Sequence, residues 1–239
     1  MIGFFLFVLG SSIGSFLNVL ILRSPKGKSI NFPPSFCPKC KKRLKWYHNI
    51  PLLSWLFLKG KCAFCSCDIS LQYPLIELFS GLLFLYFGLE YLGVKGVLIG
   101  LLFSMLLALS LIDLRYKAVP DLLSLPTLIV ALLINFSIAS LMDALIFAGA
   151  FALLKIFISA IKKEEVMGEA DIIIAAIIGA SAGKILGFSA IYIGAVAALV
   201  AFLIKKEKTL PFIPFLSIGL FISFIFHEKI SSFLGGYFG

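Results

Sequence analysis

A chain of 239 residues that is 61% hydrophobic and only 14% charged, with mean hydropathy +1.08, excludes a soluble globular domain, where about 25% would be charged. At about 20 residues per spanning helix, the length accommodates many spans and no large soluble domain. The formal net charge of +9 falls in short loops between apolar runs, the pattern that orients a polytopic membrane protein, and it implies no nucleic-acid partner.

Residues 1–22 carry no charged side chain and end at Arg23. Without a positive n-region or an Ala-x-Ala cleavage site, they read as a retained first transmembrane helix. Gly10 and Gly14 form a small-xxx-small pair suited to helix packing.

Residues 23–73 are the one polar segment of any length, rich in Lys and Arg against a single acid, Asp68, and they belong on the cytoplasmic side. Cys37-Pro38-Lys39-Cys40 and Cys62-Ala63-Phe64-Cys65 are two CxxC knuckles whose four thiolates can close tetrahedrally on one zinc ion. A reducing cytosol disfavours disulfides, and a segment this small needs a staple in place of a core. Cys67 is left over and reads as a non-ligand, because four positions are already filled.

Residues 74–239 form the membrane-embedded portion, with apolar runs at about 75–92, 97–113, 121–138, 144–161, 171–187, 188–204 and 210–226. The expected fold is therefore all-α and polytopic, with about eight transmembrane helices and a small cytoplasmic zinc-ribbon-like domain between the first and second. With the N-terminus outside, the cytoplasmic loops hold the polar segment, Arg115 with Lys117, Lys162 with Lys163, and Lys205, Lys206 and Lys208. The outer ends keep Lys95, Lys184 and Lys229. The boundary between the sixth and seventh helices, around Gly183 to Gly187, is the least marked. Lys155, about two turns inside the fifth span, has a stem long enough to snorkel.

Two aspartates border these runs at the same depth: Asp113 closes the third span and Asp171 opens the sixth, both on the cytoplasmic side. A carboxylate at the edge of hydrocarbon is expensive, so each is a functional candidate. Together they have the disposition of an aspartic protease dyad, in which one carboxylate takes a proton from water and the other, protonated, polarises the scissile carbonyl. Such a pair titrates as a unit. Either residue can instead be a plain helix-end carboxylate. That reading suits Asp121 best, which follows Pro120 where an N-cap is expected and is the second choice for the first catalytic position. Asp143 reads as a cap or loop acid on the outer side, and Glu77 as a partner for a loop cation or a cofactor contact.

Gly14-Ser15-Phe16-Leu17-Asn18-Val19, Arg23, Pro25, the first knuckle, Asn49-Ile50-Pro51-Leu52-Leu53-Ser54-Trp55-Leu56, Gly60-Lys61 with the second knuckle, and Tyr73-Pro74-Leu75-Ile76-Glu77 together resemble the type IV prepilin peptidases. That family is related in motif to the GxGD intramembrane aspartyl proteases, and its two catalytic aspartates match Asp113 and Asp171. The resemblance implies a bacterial inner-membrane enzyme. It would remove a short basic leader from prepilins or pseudopilins after Gly, on the cytoplasmic side. Members with the cysteine-bearing loop usually also N-methylate the new terminus with S-adenosylmethionine, and no motif here marks that site. One departure is Gly168-Glu169-Ala170-Asp171, with Ala170 at the motif's second glycine, and another is Ile173 where a lysine is usual. Two other classes are a zinc-ribbon membrane scaffold without catalysis, in which the aspartates only cap helices, and a proton-coupled transporter. The latter is disfavoured because both acids lie at the cytoplasmic edge rather than the midplane.

The ends of the two helices also bear on the division of labour. Asp171 lies at the positive end of its helix dipole and Asp113 at the negative end of its own, which assigns Asp171 as base and Asp113 as acid.

Overall fold

The computed structural model describes residues 1–163, 168–205 and 210–238, with side chains except those of Lys205 and residues 234–238. Lys206 and Lys208 lie outside the described residues. Helices run in the order α1 (Ile2–Arg23), α2 (Leu53–Phe57), α3 (Gln72–Glu90), α4 (Val94–Tyr116), α5 (Asp121–Asn135), α6 (Ile138–Lys162), α7 (Glu169–Lys205), α8 (Ile213–Ile225) and α9 (His227–Phe238). Two isolated bridges are the only β pairing among the described residues. The chain forms two compact units, Met1–Ala108 and Leu109–Gly239, with the division inside α4.

Among the described residues, five helices are long and apolar enough to cross a membrane. A sixth is added if Ile213–Ile225 and His227–Phe233, bent by 82°, act as one. The expected eight runs all appear as apolar helix, but not all as separate spans. α5 has 15 residues, a length of about 22 Å against a hydrocarbon core of about 30 Å. The expected sixth and seventh spans are both parts of α7, whose 37 residues break at Gly183.

In the first unit α1 packs on α3 through the small-residue face. A Cβ added at Gly14 would lie 2.8 Å from the Ile76 carbonyl oxygen, so the backbones approach as only glycine permits. Asn18, buried one turn later, donates from Nδ2 to the Tyr73 carbonyl (3.2 Å) and accepts at Oδ1 from Gln72 Nε2 (3.4 Å), tying α1 to the start of α3.

Among the described residues Glu77 pairs with no loop cation. Its side chain is 7% exposed, and Oε2 accepts the Leu52 N–H at 2.8 Å. Leu52 has φ 61°, ψ −50°, and the Leu53 N–H closes a three-residue turn onto the Pro51 carbonyl at 2.6 Å. This γ-turn of positive φ is strained, and the buried carboxylate holds it. Glu77→Ala should therefore destabilise the unit by about 1.5–3 kcal/mol, the usual loss for a charged hydrogen bond, while Glu77→Gln keeps an acceptor. Hydrogen exchange at Leu52 should quicken in the Ala variant and much less in the Gln variant; unchanged exchange in both would remove the anchoring role.

In the second unit α5, α6 and α8 pack on α7. Gly183 has φ 68°, ψ −169°, a conformation essentially confined to glycine. The break frees carbonyls in the preceding turn, and other helices supply donors for them: Ser140 Oγ to Ala180 O (2.7 Å) and Asn135 Nδ2 to Ser181 O (3.1 Å). Asp143 is neither cap nor loop acid. α6 is capped by Ser137, whose Oγ accepts the Ser140 N–H at 3.1 Å. Asp143 sits inside α6 and pairs with Lys184 at 3.8 Å, next to the break. Gly183→Ala should cost about 1–3 kcal/mol. Thermal unfolding checks it, and an unchanged midpoint would mean that the break is not specified by this glycine.

Candidate active site and metal centre

α4 ends where Lys117 turns to φ 50° and its N–H caps the Asp113 carbonyl at 2.9 Å. Asp113, in that last turn, is 8% exposed. Its Oδ2 accepts the Ile213 N–H at 3.2 Å. Ile213 is the first residue of α8, where backbone amides lack helical partners, and Pro214 beside it has no N–H to offer. A buried carboxylate thus meets the open amide end of a second helix.

Asp171 is the third residue of α7 and is half-buried. Its N–H bonds the Gly168 carbonyl at 3.3 Å, and the Gly168 N–H reaches back to its carboxylate, as in one half of a capping box. The Asp113 and Asp171 carboxylates lie close enough for their charges to interact, and Lys155 of α6 lies within the same range of Asp171. Two acids far apart in sequence therefore come within range of each other's charge in the second unit. Asp121 stands exposed at the first residue of α5.

Two features here escaped the sequence reading. Lys155 reads there as a snorkelling cation without a role, although a lone cation inside an apolar run was itself a signal. The Ile213 amide has no side-chain signature. It also makes the argument from the α4 and α7 dipoles incomplete, since the start of α8 faces Asp113 as well. Ala170, the departure from the motif, lies in the first turn of α7 and is not among the residues of positive φ, so its methyl strains no backbone.

The cysteines lie on two knuckles of one design. In the first, the Cys37 N–H bonds Lys42 O (3.1 Å), the Lys41 N–H bonds Cys37 O (2.8 Å), and Lys41 has φ 57°. In the second, the Cys62 N–H bonds Cys67 O (2.8 Å), the Ser66 N–H bonds Cys62 O (3.0 Å), and Ser66 has φ 56°. Each chain reversal aims both of its thiols inward. The Sγ atoms of Cys37, Cys40, Cys62 and Cys65 all lie within 4.8 Å of one another, a set able to hold a metal ion. The Cys37 to Cys65 separation is 3.8 Å, close to the edge of about 3.8 Å that four bonds of about 2.3 Å in a tetrahedron require. The Cys40 N–H, with smaller help from Lys39 and neighbouring thiols, holds the Cys37 thiol down at about 6 against the effect of burial. This favours the thiolate that a metal needs.

Comparison with known proteins identifies the family. Residues 8–91 match the Bacterial Peptidase A24 N-terminal domain, and residues 100–205 match the Type IV leader peptidase family. A Prepilin leader peptidase/N-methyltransferase of Stutzerimonas stutzeri is 35% identical over 265 residues, covering 94% of this chain and 91% of the relative. Proteins of the same name from Klebsiella pneumoniae (44% over 159 residues, 63% of this chain and 69% of the relative) and Myxococcus xanthus (38% over 186 residues, 74% and 55%) are also similar. No solved structure matches the chain. With family models on both of its units and a relative covered over nearly its whole length, the chain is an enzyme of the type IV leader peptidase family.

Proposed function

We propose that the protein is an aspartic endopeptidase of the bacterial inner membrane that removes the basic leader of prepilins or pseudopilins after Gly. The observation that carries this reading is the convergence of Asp113 and Asp171 in a chain of this family. One carboxylate takes a proton from the attacking water while the other, protonated, donates to the scissile carbonyl. The proton then passes to the leaving amine. The Ile213 N–H on Oδ2 holds the Asp113 carboxylate in place for the reaction. Lys155 of α6 lies within charge range of Asp171. The active site and the metal-binding segment, residues 23–73, face the cytoplasm, with the N-terminus outside, as the loop charges suggest.

The metal is zinc, held by Cys37, Cys40, Cys62 and Cys65, and it staples the loop rather than taking part in hydrolysis. N-methylation of the new terminus with S-adenosylmethionine follows from the bifunctional name of the relatives. A cleft of about 350 Å³ in the first unit, lined by Arg23, Arg43, Trp46 and Asn49 among others, has no carboxylate in its wall. No residue is assigned to the methyl donor.

A second reading, a zinc-ribbon scaffold, is favoured by one observation, the capping bond between Gly168 and Asp171. Incubating the purified protein with a prepilin in detergent, with and without S-adenosylmethionine, and weighing the products separates the two. Cleavage after Gly, plus one methyl when the donor is present, supports the proposal. An intact substrate with well-folded protein supports the scaffold.

A further inference from the structure

The fifth cysteine does not stand apart from the metal cluster. Cys67 Sγ lies 3.5 Å from Cys37 Sγ and 3.4 Å from Cys65 Sγ, so with the 3.8 Å Cys37 to Cys65 separation the three sulfurs form a near-equilateral triangle. The backbone explains the approach. Cys67 occupies in the second knuckle the place that Lys42 holds in the first, where the carbonyl is bonded by the N–H of the leading cysteine. The reversal at Ser66 brings the chain back over the cluster, and a side chain there stands on its Cys37 to Cys65 edge. In the first knuckle the equivalent side chain is a lysine, which extends outward to the Phe64 ring.

Burial distinguishes the four expected ligands. Cys37 and Cys62 are buried and Cys40 is half-buried, whereas Cys65 is exposed. The exposed thiol is the least constrained by packing, and it is the one with a second thiol at its side. Cys67, itself half-buried, places its Sγ 3.4 Å from that of Cys65, beside the same corner of the tetrahedron.

From this geometry we infer that Cys65 and Cys67 share the fourth coordination position of the zinc site, so that either thiolate completes the set made by Cys37, Cys40 and Cys62. The inference rests on the zinc reading above. The bound ion keeps four sulfur ligands in both arrangements, with the displaced thiolate taking up a proton. The exchange needs no oxidant. Its consequence is a site that keeps its metal when one exposed ligand is lost.

The test uses the full-length protein in detergent under reducing conditions, reading metal content and, after replacement by Co(II), the thiolate-to-cobalt absorption, which reports the number of sulfur ligands. Wild type should hold one ion; finding none would overturn the zinc reading itself. Cys65→Ser and Cys67→Ser should each keep the ion and the wild-type charge-transfer intensity. The double variant and Cys40→Ser should fall to about three quarters of that intensity or lose the ion. If Cys65→Ser falls as far as Cys40→Ser while wild type is loaded, Cys67 is not a ligand and the inference fails with the zinc site intact. If Cys67→Ser alone falls, Cys67 is the sole fourth ligand, and sharing is equally overturned.

Discussion

Asp113→Asn and Asp171→Asn are each expected to lower prepilin cleavage by about 10²–10⁴-fold or more, the usual share of a positioned acid or base, with the protein still folded. Asn keeps the size of the side chain and an oxygen for the Ile213 or Gly168 N–H. What it loses is the capacity to take a proton from water and return it to the leaving amine. Asp121→Asn removes a charge from an exposed first turn, worth about 0.3–1 kcal/mol of helix stability, and should leave the rate near wild type. Initial rates on one prepilin check all three. An inactive Asp121 variant beside an active Asp113 variant would move the first catalytic position to Asp121.

Stripping the zinc proposed for the four cysteines should have the largest structural effect. In residues 24–70 only Cys37, Gly60 and Cys62 are buried, and the two knuckles are held by a few backbone hydrogen bonds. No core supports them without the ion, and in small zinc modules metal binding supplies about 10–16 kcal/mol. A chelator should therefore expose residues 35–69 to protease while α1 and α3, joined by their own glycine face and by Asn18, stay protected. Protection of the loop unchanged after verified metal loss would show that the ion is not its staple.

Order along the chain was legible in the sequence, and facing was not. Hydropathy places Asp113 and Asp171 at the borders of apolar runs, and cysteine spacing singles out Cys37, Cys40, Cys62 and Cys65, because each follows from position along the chain alone. Around a helix that is apolar on every side, periodicity carries no information about which face meets which neighbour. Lys155 therefore read as a snorkelling cation rather than a neighbour of Asp171, and Asp143 as a boundary acid rather than the partner of Lys184. The pairing of Glu77 with the Leu52 N–H was hidden for another reason, since its partner is a backbone group in a strained turn. Ligand counting likewise set Cys67 aside, because it cannot see the reversal at Ser66 that returns the chain to the cluster. The break in α7 fell within the expected Gly183 to Gly187 interval. The carbonyls it frees are met by Ser140 and Asn135, donors from outside α7 that no local pattern reveals.

The central claim is that Asp113 and Asp171 act as one unit, and a double-mutant cycle on cleavage tests it most directly. Residual rates of Asp113→Asn, Asp171→Asn and the double variant are compared on one prepilin, with thermal unfolding as the control for folding. If the two acids form a dyad, each single change removes the whole function of the pair, and the double variant should match the singles within a factor of about three. Losses that multiply, or a single variant that still cleaves at a rate near wild type, would contradict it.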